Sequence, residues 1–251
     1  MTPSSVRIGL VYPELLGTYG DRGNAVTLAE RLRRRGTSAE IIDVDAASAI
    51  PDSLDLYLLG GGEDDSQVAA AAGLRASAAA IHRARDRGAV ILAVCAGFQL
   101  VGHRYEAGDR EAMDGLGLVD ATTVAGADRL IGEIVLEPDA SLGLPLLSGF
   151  ENHGGRTTLG DDVRPLGAVV VGGGNGDGVD GVVGKRLVGT YLHGPVLPRN
   201  PALADLLLSW VVGELGPIDD SLPDALRHER LDAALRRGAG RWFQERKLAR
   251  G

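Results

Sequence analysis

The stretch Val90-Ile91-Leu92-Ala93-Val94-Cys95-Ala96-Gly97-Phe98-Gln99-Leu100 joins a β-branched apolar run to a small-residue segment that reads as the start of a helix. Its cysteine is the only one in the chain. A short strand that turns at once into a helix presents the corner residue outside the packed layers, and the free N–H groups at the helix start favour an anion there. Cys95 is therefore a candidate nucleophile. Its thiol is expected to fall from the ordinary value of about 8.5 into a range of roughly 3.5 to 7.5. The alternative is a small core side chain, the commoner fate of a buried cysteine.

Around this stretch the pattern is strand, loop, helix, repeated. Val6 to Tyr12 is an apolar run ending at Pro13, followed by a glycine-rich loop through Gly23 and a helix-like segment from Asn24 to Arg35. Ala39 to Val44 and Leu54 to Leu59 read as strands, the second running into Gly60-Gly61-Gly62. Gln67 to Arg87 reads as an alanine-rich helix, and Ala89 to Val94 as the strand that feeds Cys95. Short strands alternating with helices imply an α/β fold with a mostly parallel sheet flanked by helices, whose ligands gather at the carboxyl ends of the strands. Tyr12, Gly60 and Cys95 all sit at such ends.

After about residue 115 the strands lose their intervening helices. Leu116–Thr123, Gly132–Leu136, Ala168–Val171, Val179–Gly184 and Leu187–Leu192 suggest an antiparallel extension, and Pro201 to Gly213 a closing helix. Residues 214–251 read as a C-terminal helical tail, Arg-rich, with helices at Asp224–Arg237 and Arg241–Leu248. Such a tail is either a solvated helix pair or a docking element.

The 251 residues are enough for one domain with an appendage, and 44% hydrophobic with 24% charged residues is ordinary for a globular protein. A net charge of −8 argues against wrapping of nucleic acid. With one cysteine no intramolecular disulfide can form, which fits a reducing cytosol. Met1 to Leu10 does not read as a secretion signal, and no run of about 18 apolar residues could span a bilayer. The expectation is a cytoplasmic protein with no nucleic-acid partner and no direct membrane insertion.

A cysteine nucleophile needs a base, and the chain has five histidines. His82 reads as an exposed helix-face residue, His228 lies in the tail, and His103 falls at the far end of the helix that Cys95 begins. His153, in Gly149-Phe150-Glu151-Asn152-His153-Gly154-Gly155, and His193, in Gly189-Thr190-Tyr191-Leu192-His193-Gly194-Pro195, each follow an extended apolar run. The residues rank His193 only slightly ahead, and a histidine satisfied by backbone is the alternative for both. Gly60-Gly61-Gly62 could bring backbone N–H groups to an oxyanion opposite the Ala96 N–H, or be a plain tight turn. Gly178 to Arg186 lacks the spacing of a phosphate loop and has Arg186 where Ser or Thr would bind magnesium. No Cys/His cluster has zinc-ligand spacing. Neither cofactor nor metal is expected.

Taken together, Cys95-Ala96-Gly97-Phe98-Gln99, Gly60-Gly61-Gly62-Glu63-Asp64 and Tyr191-Leu192-His193-Gly194 resemble the class I (triad-type) glutamine amidotransferases, in the branch that includes the cobyric-acid-synthase glutaminase domains. Within that branch, Tyr19-Gly20-Asp21-Arg22-Gly23-Asn24, Asp128-Arg129-Leu130-Ile131-Gly132-Glu133 and Gly149 to Gly155 are most similar to glutaminase subunits of lipid II isoglutaminyl synthase. The resemblance covers about residues 6 to 213 and makes 1–213 the amidotransferase domain. It implies a flavodoxin-like fold in which Cys95 attacks the side-chain amide of L-glutamine and His193 carries the proton to departing ammonia. It further implies that Ala96 and Gly61 or Gly62 hold the oxyanion through their N–H groups. On the substrate side it points to Arg129, as binder of the glutamine carboxylate, and to Gln99, which supports the elbow. The implied partner is a MurT-like, ATP-dependent synthetase in a heterodimer, which amidates the D-glutamate α-carboxylate of lipid II.

Two positions depart from the class. Ala93 stands where the elbow usually has glycine, and Pro195 where a glutamate usually follows the catalytic histidine by two residues. The orienting carboxylate then comes from elsewhere in the chain, is absent, or is supplied by the partner. A corrinoid carboxylate as acceptor and a catalytically silent scaffold subunit are the alternative readings.

Overall fold

The computed structural model describes residues 5–106 and 112–248, with side chains through Arg236. In chain order the first layer comprises β1 (Val6–Val11), α1 (Arg22–Arg33), β2 (Ala39–Val44), β3 (Leu56–Leu59), α2 (Asp64–Ala76), α3 (Ala78–Asp86), β4 (Val90–Val94) and α4 (Ala96–Val101). β3 and β4 are buried at every residue, the unalternating pattern of parallel strands covered on both faces. The second part comprises β5 (Arg104–Tyr105), β6 (Met113–Asp114), β7 (Ala121–Pro138), β8 (Leu147–Leu159), β9 (Gly167–Val171) and β10 (Val179–Asp180). The chain then returns through β11 (Val182–Gly184) and β12 (Leu187–Thr190) before α5 (Val196–Arg199), α6 (Pro201–Val212) and α7 (Ser221–Leu248).

The first sheet has the order β11-β12-β4-β3-β1-β2, parallel except for the edge strand β11. This is the expected α/β architecture, and the return of β12 to the side of β4 matters most for function. Thr190 pairs with Val94, so the chain that leaves β12 emerges next to Cys95. The second sheet has the order β10-β9-β7-β5-β6, with β8 also paired to β7. The two sheets touch where Phe150 of β8 and His193, just past β12, form an antiparallel bridge.

The expected helix over Gln67–Arg87 divides at Ser77, whose backbone leaves the helical region and whose hydroxyl accepts the Ile50 N–H at 3.3 Å. The strand expected at Leu116 begins only at Ala121. The N–H groups of Leu116, Gly117 and Leu118 are instead donated to the carbonyls of Leu100, Gly102 and Val101. The expected tail pair is one continuous helix, α7, whose near half packs on the second sheet through Leu231 and Ala234 against Val135. The side chains of its Arg241–Leu248 segment lie outside the described residues. Arg31 of α1, almost wholly buried, ties this end of the chain down by paired bonds of 2.6–2.8 Å to Asp205 and Asp220. Among the described residues no helix is long and apolar enough to cross a membrane.

Close packing under the corner residue depends on Gly97. A β-carbon there would lie 2.4 Å from the Leu59 carbonyl oxygen, and its N–H donates to the Gly60 carbonyl at 3.0 Å. Because these neighbours are backbone, they cannot swing aside. Gly97→Ala is expected to lower unfolding stability by about 1–3 kcal/mol, read as a shifted urea midpoint at unchanged slope.

Candidate active site

Cys95 is held at φ 52° and ψ −108°, one of three described non-glycine residues with positive φ. Such a backbone costs about 1–3 kcal/mol and persists only where its surroundings enforce it. The enforcement is visible. The Cys95 N–H donates to the Thr190 carbonyl at 2.9 Å, and the Cys95 carbonyl accepts from the Gln99 N–H at 3.0 Å. Phe98, one turn into α4, packs edge-on to Tyr191 at 5.2 Å and fills the space opposite Gly189. Cys95 is 6% exposed and lines a pocket of about 210 Å³ together with Gly62, Gln99, Arg129, Asn152 and His153.

His193 is fully buried three residues beyond Thr190. Its backbone exchanges hydrogen bonds with Phe150, N–H to carbonyl at 2.8 Å and the reverse at 3.2 Å. Nδ1 faces the carbonyls of Tyr191 at 2.7 Å and Phe150 at 3.0 Å, which makes it the protonated nitrogen. Nε2 is left as a buried lone pair without a hydrogen-bond partner among the described residues. The ring packs edge-on to Tyr19 at 4.5 Å and lies against Gly61, where a β-carbon would be 3.4 Å from Cδ2. Main-chain oxygens thus occupy the place that a carboxylate fills in a triad.

The expected acidic thiol is not what the structure gives. Burial pushes the Cys95 thiol up to about 12, and the nearby charges of Asp21 and Glu63 add to the effect. The Ala96 N–H and Arg129 oppose it without prevailing. A helix start lowers a thiol pKa only when solvation of the anion is not lost at the same time. Burial likewise takes His193 down to about 4. Both groups therefore rest neutral at pH 7.

The turn after β3 separates the two glycines proposed from sequence. The Gly61 N–H is donated to Asp21 Oδ2 at 3.0 Å and is spent, whereas the Gly62 N–H has no acceptor among the described residues and Gly62 lines the pocket. Ala96 offers its N–H beside the sulfur. Arg129 lies in an excursion of β7: residues 126–129 stand opposite Gly154 alone, and this bulge carries the guanidinium to the pocket. Asn152 orients it, its Oδ1 accepting the Arg129 Nε–H at 2.6 Å while its amide nitrogen donates to the Tyr19 hydroxyl at 3.1 Å. Gln99 lines the pocket, but its oxygen accepts from Gln67 at 2.6 Å and its nitrogen donates to the Tyr191 hydroxyl at 3.2 Å. Its work is support.

Of the remaining histidines, His103 lies beyond the end of α4 and is exposed, 3.5 Å from Asp120. His82 is half-buried instead of exposed, its Nε2 2.9 Å from the Leu116 carbonyl. His153 lines the pocket, and its buried Nε2 has no hydrogen-bond partner among the described residues, with Glu151 3.5 Å away. It sits in β8, its ring stacked on Tyr191 at 3.6 Å and its Nδ1 donating to the Gly155 carbonyl at 3.0 Å. Sequence reasoning missed the supports: Tyr19, Asp21, Glu151, which accepts the N–H groups of Gly173 and Gly174, and Asp180, which accepts from the Thr190 hydroxyl at 2.6 Å. Tyr19, Asp21 and Glu151 lay inside motifs already singled out, and Asp180 carried no signal.

This fold and this pocket define a glutamine amidotransferase. The model of the CobB/CobQ-like glutamine amidotransferase domain matches residues 7–201, and the chain belongs to that family. It is 37% identical over 196 residues to the GatD subunit of the glutamine-hydrolysing lipid II isoglutaminyl synthase of Staphylococcus aureus, covering 77% of this chain and 79% of that one. With the GatD subunit of Streptococcus pneumoniae it shares 35% over 228 residues, 88% of this chain and 86% of the relative. Solved structures show the same fold at low identity. PurLQS from Thermotoga maritima superposes with a TM-score of 0.53 at 17% identity, covering 84% of this chain and 98% of that one. The glutaminase domain of Trypanosoma brucei CTPS gives 0.52 at 14%, covering 87% and 98%.

Since burial holds the His193 pKa below the unfolded value, its contribution to stability weakens as pH falls from about 6.5 toward 4. Asp21, raised to about 6, and Asp180, raised to about 7, act in the opposite sense, gaining stability as each takes up its proton before the unfolded chain does. Nitrogen-resolved NMR of the imidazoles is expected to show His193 neutral, with the proton on Nδ1, from pH 7.5 down to 5.5, and a midpoint near 4.

Proposed function

We propose that this chain is the glutaminase subunit of a lipid II isoglutaminyl synthase. The observation that carries the reading is the pocket in which Cys95, forced outward at a positive φ, meets Arg129, with the buried Nε2 of His193 behind the neighbouring strand end. The two GatD relatives, alike over most of both chains, support the acceptor.

In this mechanism the α-carboxylate of L-glutamine pairs with Arg129, and its side-chain amide carbon lies over the sulfur. The thiol proton moves to His193 Nε2 as the carbon–sulfur bond forms. The oxyanion is taken up by the N–H groups of Ala96 and Gly62, donors already in place, so the charge that a dry pocket denies the resting thiolate is accepted in the transition state. His193 then gives its proton to the leaving nitrogen, and ammonia departs from a Cys95 thioester. Water, deprotonated by the same imidazole, releases glutamate and restores the thiol. Ammonia passes to a MurT-like synthetase, which uses ATP to activate the D-glutamate α-carboxylate of lipid II.

Because His193 Nδ1 meets only carbonyl oxygens, its imidazolium lacks an anionic partner within the described chain. The synthetase is the source of that partner in this reading. Loss of the carboxylate in a triad costs up to about 10⁴ in turnover, so the isolated chain should hydrolyse glutamine at least about tenfold more slowly than the complex. Equal turnover alone and with the synthetase counts against partner activation.

The reading is tested by labelling with 6-diazo-5-oxo-norleucine. The complex is expected to take up one adduct at Cys95, lost in Cys95→Ala, and Cys95→Ala and His193→Ala should each abolish glutamine-dependent amidation of a lipid II analogue while sparing amidation driven by added ammonia. No adduct with the synthetase present would favour the silent scaffold, and labelling without amidation a different acceptor.

A further inference from the structure

The segment Tyr19–Asn24 takes no chemical part in the mechanism above, yet it touches the candidate site at several points. Gly23 packs on Pro195, where a β-carbon would lie 2.5 Å from Cγ, and Asn24 Oδ1 accepts the Leu197 N–H at 2.9 Å, fixing the chain just past His193. Asp21 and Asn24 are each 2% exposed, and of the two it is Asp21 that bonds to the glycine turn.

We propose that Asp21 is a positioning residue of the glutaminase reaction, whose buried carboxylate locks the Gly60–Gly62 turn so that the Gly62 N–H faces the oxyanion. The inference rests on the glutaminase reading and assigns the oxyanion turn its support.

The argument runs through two peptide planes. In a trans peptide the carbonyl and the following N–H point in opposite directions, so fixing one fixes the other. The Gly60–Gly61 plane is pinned at both ends, its oxygen by the Gly97 N–H at 3.0 Å and its N–H by Asp21 Oδ2 at 3.0 Å. The Gly61–Gly62 plane is pinned through the Gly61 oxygen by the Thr18 N–H at 3.2 Å. Among the described residues the Gly62 N–H has no acceptor, and Gly62 is the glycine of the turn that lines the pocket with Cys95. The contact between turn and carboxylate is direct: a β-carbon on Gly60 would sit 2.5 Å from Asp21 Cγ. Asp21 Oδ1 is buried without a partner, so the carboxylate is kept there at a cost in desolvation that packing alone does not call for.

The charge of Asp21 is a separate matter from its hydrogen bond. The charged and titratable groups that share this corner are Cys95 on the elbow, Glu63 at the head of α2, Arg129 on the bulge of β7, Tyr19 two residues earlier and His193, whose ring lies against Gly61 and Tyr19. Ionised Asp21 opposes the Cys95 thiolate, and burial delays that ionisation to about pH 6. Asparagine keeps the acceptor for the Gly61 N–H and removes the charge. The two effects can therefore be read apart.

The test compares full-length wild type, Asp21→Ala and Asp21→Asn in complex with the synthetase, and in parallel the iodoacetamide alkylation rate of Cys95 from pH 5 to 8. Loss of one oriented oxyanion donor costs about 10²–10³, and a displaced donor less, so Asp21→Ala should lose about 10–100-fold in kcat with KM within about threefold. Asp21→Asn should recover most of that loss. Its alkylation rate relative to wild type should be near one at pH 5, where the wild-type carboxyl is protonated, and rise several-fold at pH 8. A merely structural residue would not give a kcat loss at near-constant KM that asparagine restores. A folded Asp21→Ala with wild-type kcat, or an Asp21→Asn as slow as Asp21→Ala, would each overturn the assignment; a flat ratio would overturn only the charge effect. If Asp21→Ala does not fold, Asp21→Asn decides alone, and a kcat about tenfold or more below wild type overturns the assignment. A wild-type complex that hydrolyses no glutamine sinks the functional reading itself, whereas an active complex indifferent to Asp21 sinks only this one.

Discussion

The left-handed backbone at Cys95 is the constraint on which the rest of the candidate site depends. A β-bearing residue at φ 52° relaxes unless strand, turn and helix all resist, and here each does. β12 holds the Cys95 N–H, α4 closes its first turn on the Cys95 carbonyl, and Gly97 lets that helix lie against the Leu59 backbone. The strain of about 1–3 kcal/mol is small beside the burial of Phe98, Leu100 and Val101 behind it, at about 1.5–3 kcal/mol each. The same residues that stabilise the core therefore aim the sulfur.

Burial that secures the elbow also sets its chemistry. With the thiol pushed up and the imidazole pushed down, the resting pair carries no charge, and proton transfer between them is unfavourable until something accepts the anion. In the proposed reaction the acceptor is the amide carbon, whose oxygen meets two N–H donors that need not reorganise. A buried site makes those donors worth more than they would be in water. Low reactivity at rest and stabilisation of the developing oxyanion thus follow from one property.

Much of this was readable from the chain, and the exceptions are instructive. Unbroken apolar runs such as Val90–Val94 admit little besides a buried parallel strand, and the single cysteine at the end of one marked the corner. β8 was missed because Gly149, Asn152, Gly154 and Gly155 look like a loop by local preference. Pairing with β7 over almost its whole length overrides that preference. The bulge at residues 126–129 has no local signature, since it exists only relative to the register of its partner strand. The thiol pKa was misjudged for a related reason. A helix start is visible in sequence, whereas the depth at which the fold buries it is not. The two glycines of the turn could not be told apart until Asp21 was seen to occupy one N–H.

The placement of β8 puts the supports of Arg129 and of His193 on one element. Along this one strand Phe150 offers its carbonyl to His193 Nδ1, Asn152 orients Arg129, and His153 stacks beneath Tyr191, whose own carbonyl also holds His193. Glu151 fastens the same strand to the glycine loop through the N–H groups of Gly173 and Gly174. A slip of β8 by one residue would reverse the faces of all four, removing the support of Arg129 and that of His193 in a single step. Register between the two sheets is therefore as much a part of the site as the elbow. Two isolated antiparallel bridges, Phe150–His193 and Arg164–Val183, tie this part of the chain to the first sheet, and the former lies at the site itself.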